Sequence, residues 1–323
     1  MAPGLGITSA GLGGNAAGGQ CSTSTASMSG TSMATPQASG SAALARQYLR
    51  SGFYPTGAPN EPASAPFVPS GILLKALLIA GAKSMEGGTV TATGATMGPP
   101  PDGYQGWGRL SLAGSLPLRG VTDPRVSLQL ADGGQFKPRG QDVVLEGLVA
   151  TGTGPVVVVL AWYDYPADEN AAAALVNDLD LVVTLAGGGR GRNRTAAVTV
   201  YGNNPDTGAA SLRASATTAR HEPPFNSPPA LSRPARPASP ALPGTPDRVN
   251  TVECVRLRAP PAGSPITVRV RAFRMASGLI GGADARLPQR FAVAAVGHLT
   301  GSWASPLNPA FLQGPPPPAA GPP

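Results

Sequence analysis

The sequence predicts two units in series: an α/β segment over residues 1–118 and an all-β antiparallel sandwich over 119–300, followed by a Pro-rich tail over 301–323. Three observations carry this. Two runs of helical length, Gln37 to Tyr48 and Gly71 to Lys83, both fall in the first segment. From about Val121 the texture changes to about eight short runs rich in Val and Leu. Turn signals separate those runs, which fits antiparallel pairing better than helical crossovers. A length of 323 residues accommodates two such units.

Residues 1–20 are rich in Gly and Ala and read as a turn-laden strand-and-loop approach to Ser29-Gly30-Thr31-Ser32-Met33-Ala34-Thr35-Pro36. The small-residue run that follows favours helix, and Pro36 is expected in its first turn, where the missing N–H costs nothing. Ala and Gly side chains such as Gly40 allow close approach of neighbouring backbone, so this helix is expected to be buried. Gly52 to Pro69 carries five prolines, which argues against regular structure. Ser70 reads as the N-cap of the next helix, which is apolar almost all round at Ile72, Leu73, Leu74, Leu77, Leu78 and Ile79. A short helix apolar on every face is a buried one.

The expected strands are Arg125 to Leu130, Asp142 to Ala150, Pro155 to Tyr163, Leu179 to Leu185, Ala196 to Tyr201, Val249 to Leu257, Ile266 to Phe273 and Phe291 to Val296. Val268, Val270 and Ala272 alternate with Arg269 and Arg271, so that strand has one wet face. Asn203 to Asp247 interrupts the pattern. It holds no Val or Ile and many Pro, Ala and Ser residues, and is expected to be a disordered insertion.

Composition narrows the function classes. Hydrophobic residues make up 41% of the chain, enough for a core, while Gly (43) and Pro (37) together approach the level of low-complexity sequence. Of the net charge of +7, +5 falls between Arg190 and Pro240, where seven Arg face only Asp206 and Glu222. Without interleaved aromatics this stretch reads as a solvated loop, not as a nucleic-acid surface. Cys21 and Cys254 fall in different units. One disulfide in an oxidising compartment and two unrelated thiols both fit them, and neither has metal-site spacing. No apolar run reaches the length of a membrane span. No secretory leader follows Met1, which says nothing of export if the true N-terminus lies upstream.

On spacing alone Ser32 is an N-cap of an Ala-rich helix, since Ser and Thr commonly precede helices. It is not a Gly-x-Ser-x-Gly elbow, because Ala34 stands where the second Gly belongs. The full string Gly30-Thr31-Ser32-Met33-Ala34-Thr35-Pro36, however, resembles the serine motif of the subtilisin-like proteases (subtilases). Ala2-Pro3-Gly4 with Ile7 and Ser9-Ala10 is similar to the segment that precedes it in that family. The helix at Leu73 to Ala82 and Gln105-Gly106-Trp107-Gly108-Arg109-Leu110 resemble two later family segments. The resemblance implies Ser32 as nucleophile, with first-turn amides to hold an oxyanion.

It also implies an Asp and a His upstream of the serine. The residues before Ser32 contain no Asp, Glu or His, and the two histidines, His221 and His298, lie far downstream. The chain therefore reads as the C-terminal part of a catalytic domain, incomplete and inactive alone, whose missing partner is the N-terminal part of that domain. Gln37 replaces the His often found after the Pro, a position the chemistry does not need.

Val158 to Asp164, Leu175 to Leu181 and Val249 to Glu253 resemble the C-terminal jelly-roll domain of the alkaline, oxidation-stable subtilases. That resemblance implies secretion, protein or peptide substrates and a structural calcium. Asp178 and Asp180 are the candidate metal ligands. Two residues apart on an extended segment, both carboxylates face one way, which calls for either solvent or a hard cation. Asp164 is a further possible oxygen donor. The alternative function is a non-catalytic homologue whose β-sandwich binds protein or polysaccharide.

Overall fold

The computed structural model describes residues 1–11, 23–136, 142–187, 197–204, 245–275 and 288–303. Cys21, His221, most of the Arg/Pro-rich stretch and the tail from 304 on therefore lie outside the described residues, while Trp303, expected in the tail, is buried in the core. The elements run β1 (Ile7–Ala10), β2 (Thr25–Met28), α1 (Thr31–Arg50), α2 (Gly71–Ala80) and α3 (Leu112–Ser115). Then follow β3 (Ser127–Phe136), β4 (Val143–Ala150), β5 (Val156–Trp162), β6 (Asp178–Leu185), β7 (Val198–Tyr201), β8 (Val252–Leu257), β9 (Pro265–Arg274), β10 (Gln289–Gly297) and β11 (Leu299–Gly301).

β1 and β2 form a two-stranded antiparallel sheet, with Ile7 opposite Met28 and Ala10 opposite Thr25. The later strands make two antiparallel sheets, ordered β3-β10-β5-β8 and β11-β4-β9-β6-β7. Val156, Val158, Leu160 and Trp162 of β5 share one apolar core with Leu179, Leu181 and Val183 of β6 and with Val268 and Val270 of β9. The two sheets thus close over a common interior, as the alternating patterns require.

β5 is buried along its whole length, because its other face is covered too. Val157, Val159 and Ala161 join Ala292, Ala294 and Cys254 in a second core against Leu73, Ala76 and Leu77 of α2. A strand covered on both faces reads as a continuous apolar run instead of an alternating one. The alanines at 161, 292 and 294 leave room for the helix to lie across β10 and β5.

The start of α2 is fixed as the sequence predicts. Ser70 is its N-cap and its hydroxyl accepts from Leu73 N–H at 3.0 Å. Asp132 adds an anchor: its carboxylate takes Ser70 N–H at 2.7 Å and Ser70 O–H at 2.6 Å. β3 carries one extra residue between Ala131, opposite Val293, and Gly134, opposite Phe291. Gly133 takes φ 73 within that bulge. The bulge brings Asp132 to the positive end of the helix, where a carboxylate is favoured.

Two expectations about the first helix are corrected. α1 begins at Thr31, so Pro36 is its sixth residue and lies beyond the first turn. Proline has no N–H, so the Ser32 carbonyl lacks the helical partner it would have at that position. Nor is α1 buried: Ala45, Tyr48 and Leu49 alone reach the core, all at its C-terminal end. Its small side chains suit close packing, yet its core contacts gather at the C-terminal end, where Tyr48 stacks on Phe53 and donates to Pro117 O at 2.7 Å and Leu49 shares a core with Phe67 and α2. Among the described residues no helix is long and apolar enough to cross a membrane.

Candidate functional site

Ser32 sits where a strand turns into a helix. β2 ends at Met28; Ser29 Oγ then accepts from Gly6 N–H at 2.9 Å, and Gly30 N–H reaches Gly4 O at 2.7 Å. Gly30 has φ 150 and ψ 173, a conformation essentially restricted to glycine. A Cβ on Gly4 would meet Gly30 O at 2.8 Å, so both glycines are needed for this close crossing. The helix opens with no side-chain cap. Met33 and Ala34 N–H turn back to Gly30 O at 3.1 and 3.4 Å, while the Thr31 and Ser32 amides precede any intrahelical acceptor.

Ser32 is exposed and lines a cleft of about 700 Å³ with Ile7, Ser9, Ala10, Met28 and Met33. Gln37 closes one side, its amide held by Pro3 O at 2.8 Å. None of the described lining residues is charged, so among them nothing can take the Ser32 proton. His298 is elsewhere: it lies between β10 and β11, its Nδ1 is 2.7 Å from Thr153 Oγ1, and it lines a different cleft with Lys83 and Arg256. His221 lies outside the described residues.

The Asp178–Asp180 pair is brought to one side of β6, as the two-residue spacing predicts. Leu179 and Leu181 join the core between the sheets, and the two aspartates point the other way, both almost fully buried. Arg248 meets them there. Its Nη1 donates to Asp178 Oδ1 at 3.2 Å and to Asp180 Oδ1, and its Nη2 lies 3.4 Å from Asp180 Oδ2. The guanidinium carbon stands 3.5 Å over the Phe273 ring. Burial pushes the Asp178 carboxyl up, with Arg248 opposing that shift.

Behind this pair Glu253 is fully buried; its Oε2 accepts from Leu181 N–H at 2.5 Å and its Oε1 has no partner. Burial raises its carboxyl well above the ordinary glutamate range. Among the described residues no group of three or more His, Cys, Asp or Glu is arranged to hold a metal. With the guanidinium seated between them, Asp178 and Asp180 do not fit a calcium ion as they stand.

Asp164 is occupied as well. Its carboxylate takes the backbone N–H groups of Tyr165, Val176 and Asn177, fastening the 165–177 loop to the end of β5. Sequence reasoning missed Arg248 because nothing in its spacing singles it out from the arginines around it. The only available signal was the need of two like charges on a buried strand for a counter-ion.

Residues 1–108 match the subtilase family. The chain is 32% identical over 221 residues to the Serine protease/ABC transporter B family protein tagD of Dictyostelium discoideum, a match covering 57% of this chain and 12% of that protein. To the Serine protease/ABC transporter B family protein tagB of the same organism it is 31% identical over 222 residues, again 57% of this chain and 12% of the relative. The chain thus spans about an eighth of the length of these relatives.

Proposed function

Residues 1–108 being a subtilase-family segment, we propose that this chain supplies the nucleophile of a serine endopeptidase, Ser32, and depends on an Asp and a His from outside its 323 residues. The observation that carries this reading is the seat of Ser32: exposed on a strand–Gly30–helix turn, beside uncommitted first-turn amides, over an uncharged cleft. In the complete site the His removes the Ser32 proton as Oγ attacks the scissile carbonyl, and the Asp orients that His. The Ser32 N–H helps hold the tetrahedral oxyanion, a task for which donors fixed before the reaction are suited. Until a base arrives, Ser32 is an ordinary alcohol.

The exposure of α1 before Ala45 and the isolation of the β1–β2 pair support the incomplete-domain reading, since a lone two-stranded sheet is marginal in water. The strand orders of the two large sheets support reading the second unit as a jelly roll. A second reading, a non-catalytic homologue whose sandwich binds protein or polysaccharide, is favoured by the lack of a base among the described residues of the Ser32 cleft.

The test is peptide-bond hydrolysis by the chain extended with the residues encoded ahead of Met1, beside the same protein with Ser32→Ala. Hydrolysis lost in the variant supports the endopeptidase. A folded extended chain that cleaves nothing supports the binding homologue.

A further inference from the structure

We propose that Arg248 is a built-in counter-ion that occupies the place a divalent cation would take between Asp178 and Asp180, so that this end of the sandwich is held without metal and becomes a cation site only when Arg248 is removed. The charges around the pair set the problem. Asp178 and Asp180 are 1% and 2% exposed and lie side by side on β6. Two adjacent buried carboxylates need a cation within reach.

Asp247 is turned to other work, taking the amides of Val249 and Asn250 and the side-chain amides of Asn203 and Asn250. Arg274 passes its Nη2 to Leu175 O and reaches Asp178 only through space. Among the described residues Arg248 is the one whose side chain forms ion pairs with both carboxylates. Its planar group lies on the Phe273 ring, which directs its donor edge at the oxygens. Because Arg248 stands just ahead of β8, the same contact ties the chain returning into that strand to the start of β6.

The geometry distinguishes this from a surface ion pair. A guanidinium over an aromatic ring, with two donors on one carboxylate and a shared donor on the other, is placed and not merely attracted. Removing it leaves two parallel acid groups with free oxygens, the ligand chemistry a hard divalent cation takes.

The experiment compares thermal melts of the full chain and of Arg248→Met, which keeps an apolar stem over Phe273, in excess EDTA and in millimolar calcium, with terbium luminescence as the direct binding readout. The wild type is expected to melt at the same temperature in both buffers. Arg248→Met is expected to melt lower in EDTA and recover in calcium, with terbium bound at least about tenfold more tightly than by the wild type, a change of about 1.4 kcal/mol. The recovery should vanish when Asp180→Asn is added. If Arg248→Met does not fold, the triple variant Asp178→Asn, Asp180→Asn, Arg248→Met decides: it should fold and ignore calcium. A wild type that loses stability in EDTA through Asp178 and Asp180, an Arg248→Met protein indifferent to calcium, or a triple variant that also fails to fold would each overturn the proposal.

Discussion

Trp107 donates its indole N–H to Asn203 Oδ1 at 3.1 Å, and the same oxygen accepts the Cys254 amide at 3.0 Å. The other half of the Asn203 side chain donates to Val252 O at 2.7 Å and to Asp247 Oδ2 at 2.6 Å, while its own N–H reaches Cys254 O at 2.8 Å. One asparagine therefore extends the β7 end onto β8 and fastens it to the last residues of the segment that matches the subtilase family. Arg256 doubles the link, donating to Trp107 O at 2.7 Å and Ala82 O at 3.3 Å. Asn203→Ala should cost about 1–3 kcal/mol, the penalty for leaving buried donors unmatched. Trp107→Phe removes one bond and should cost about 1 kcal/mol from that loss alone. Urea melts of the two variants and their combination measure this, and a double variant showing no coupling would contradict it.

The Ser70–Asp132 contact sets the pose of α2 on β10. Ser70→Ala loses an N-cap and should lose about 1 kcal/mol. Asp132→Ala leaves both Ser70 groups without their acceptor and should lose more, about 1–3 kcal/mol. Chemical denaturation checks the order of the two effects, and an Asp132→Ala chain as stable as Ser70→Ala would count against the bulge-mounted anchor.

Leu77 is fully buried between α2 and the four-stranded sheet. Leu77→Ala should cost about 2–5 kcal/mol, because Ala161, Ala292 and Ala294 across the interface cannot reach into the cavity. Equilibrium unfolding gives the value; a loss below about 1 kcal/mol would mean α2 is not held on the sheet as described.

Glu253 makes stability depend on pH. Its folded carboxyl is raised well above the ordinary range by burial. Between the unfolded and folded values the native chain keeps a proton that the unfolded chain has released, so stability falls as pH rises through that window. Below the unfolded value the penalty is absent. Glu253→Gln does not titrate, so the stability difference should swing toward the variant as pH rises from the acid side of the ordinary glutamate range to neutral and above. Denaturant midpoints at both ends of that rise test the swing, and a difference that does not change with pH contradicts it.

Much of the fold is legible in the residues. Alternation at Val268 and Val270 and the unbroken run at Val156 to Trp162 give the strands, because burial on one face or two leaves a direct mark on the pattern. Ser70 is legible as a cap because its chemistry is local. What is not legible depends on partners distant in sequence. Small residues in α1 promise close packing only if another layer arrives, and the serine motif makes a site only if a base does. Asp178 and Asp180 announce a need for positive charge, but the sequence does not say whether an ion or Arg248 meets it. Asn203 sits at the edge of a stretch that reads as structureless, and its role emerges only once β7 and β8 are side by side.

The most direct test of the central claim is labelling of the 323-residue chain with a fluorophosphonate serine-hydrolase probe, beside Ser32→Ala. Because no base lines the Ser32 cleft among the described residues, the chain alone should show no labelling that depends on Ser32. Labelling at Ser32 that disappears in the variant would mean that a residue of this chain already activates it, and the reading of an incomplete site would be wrong.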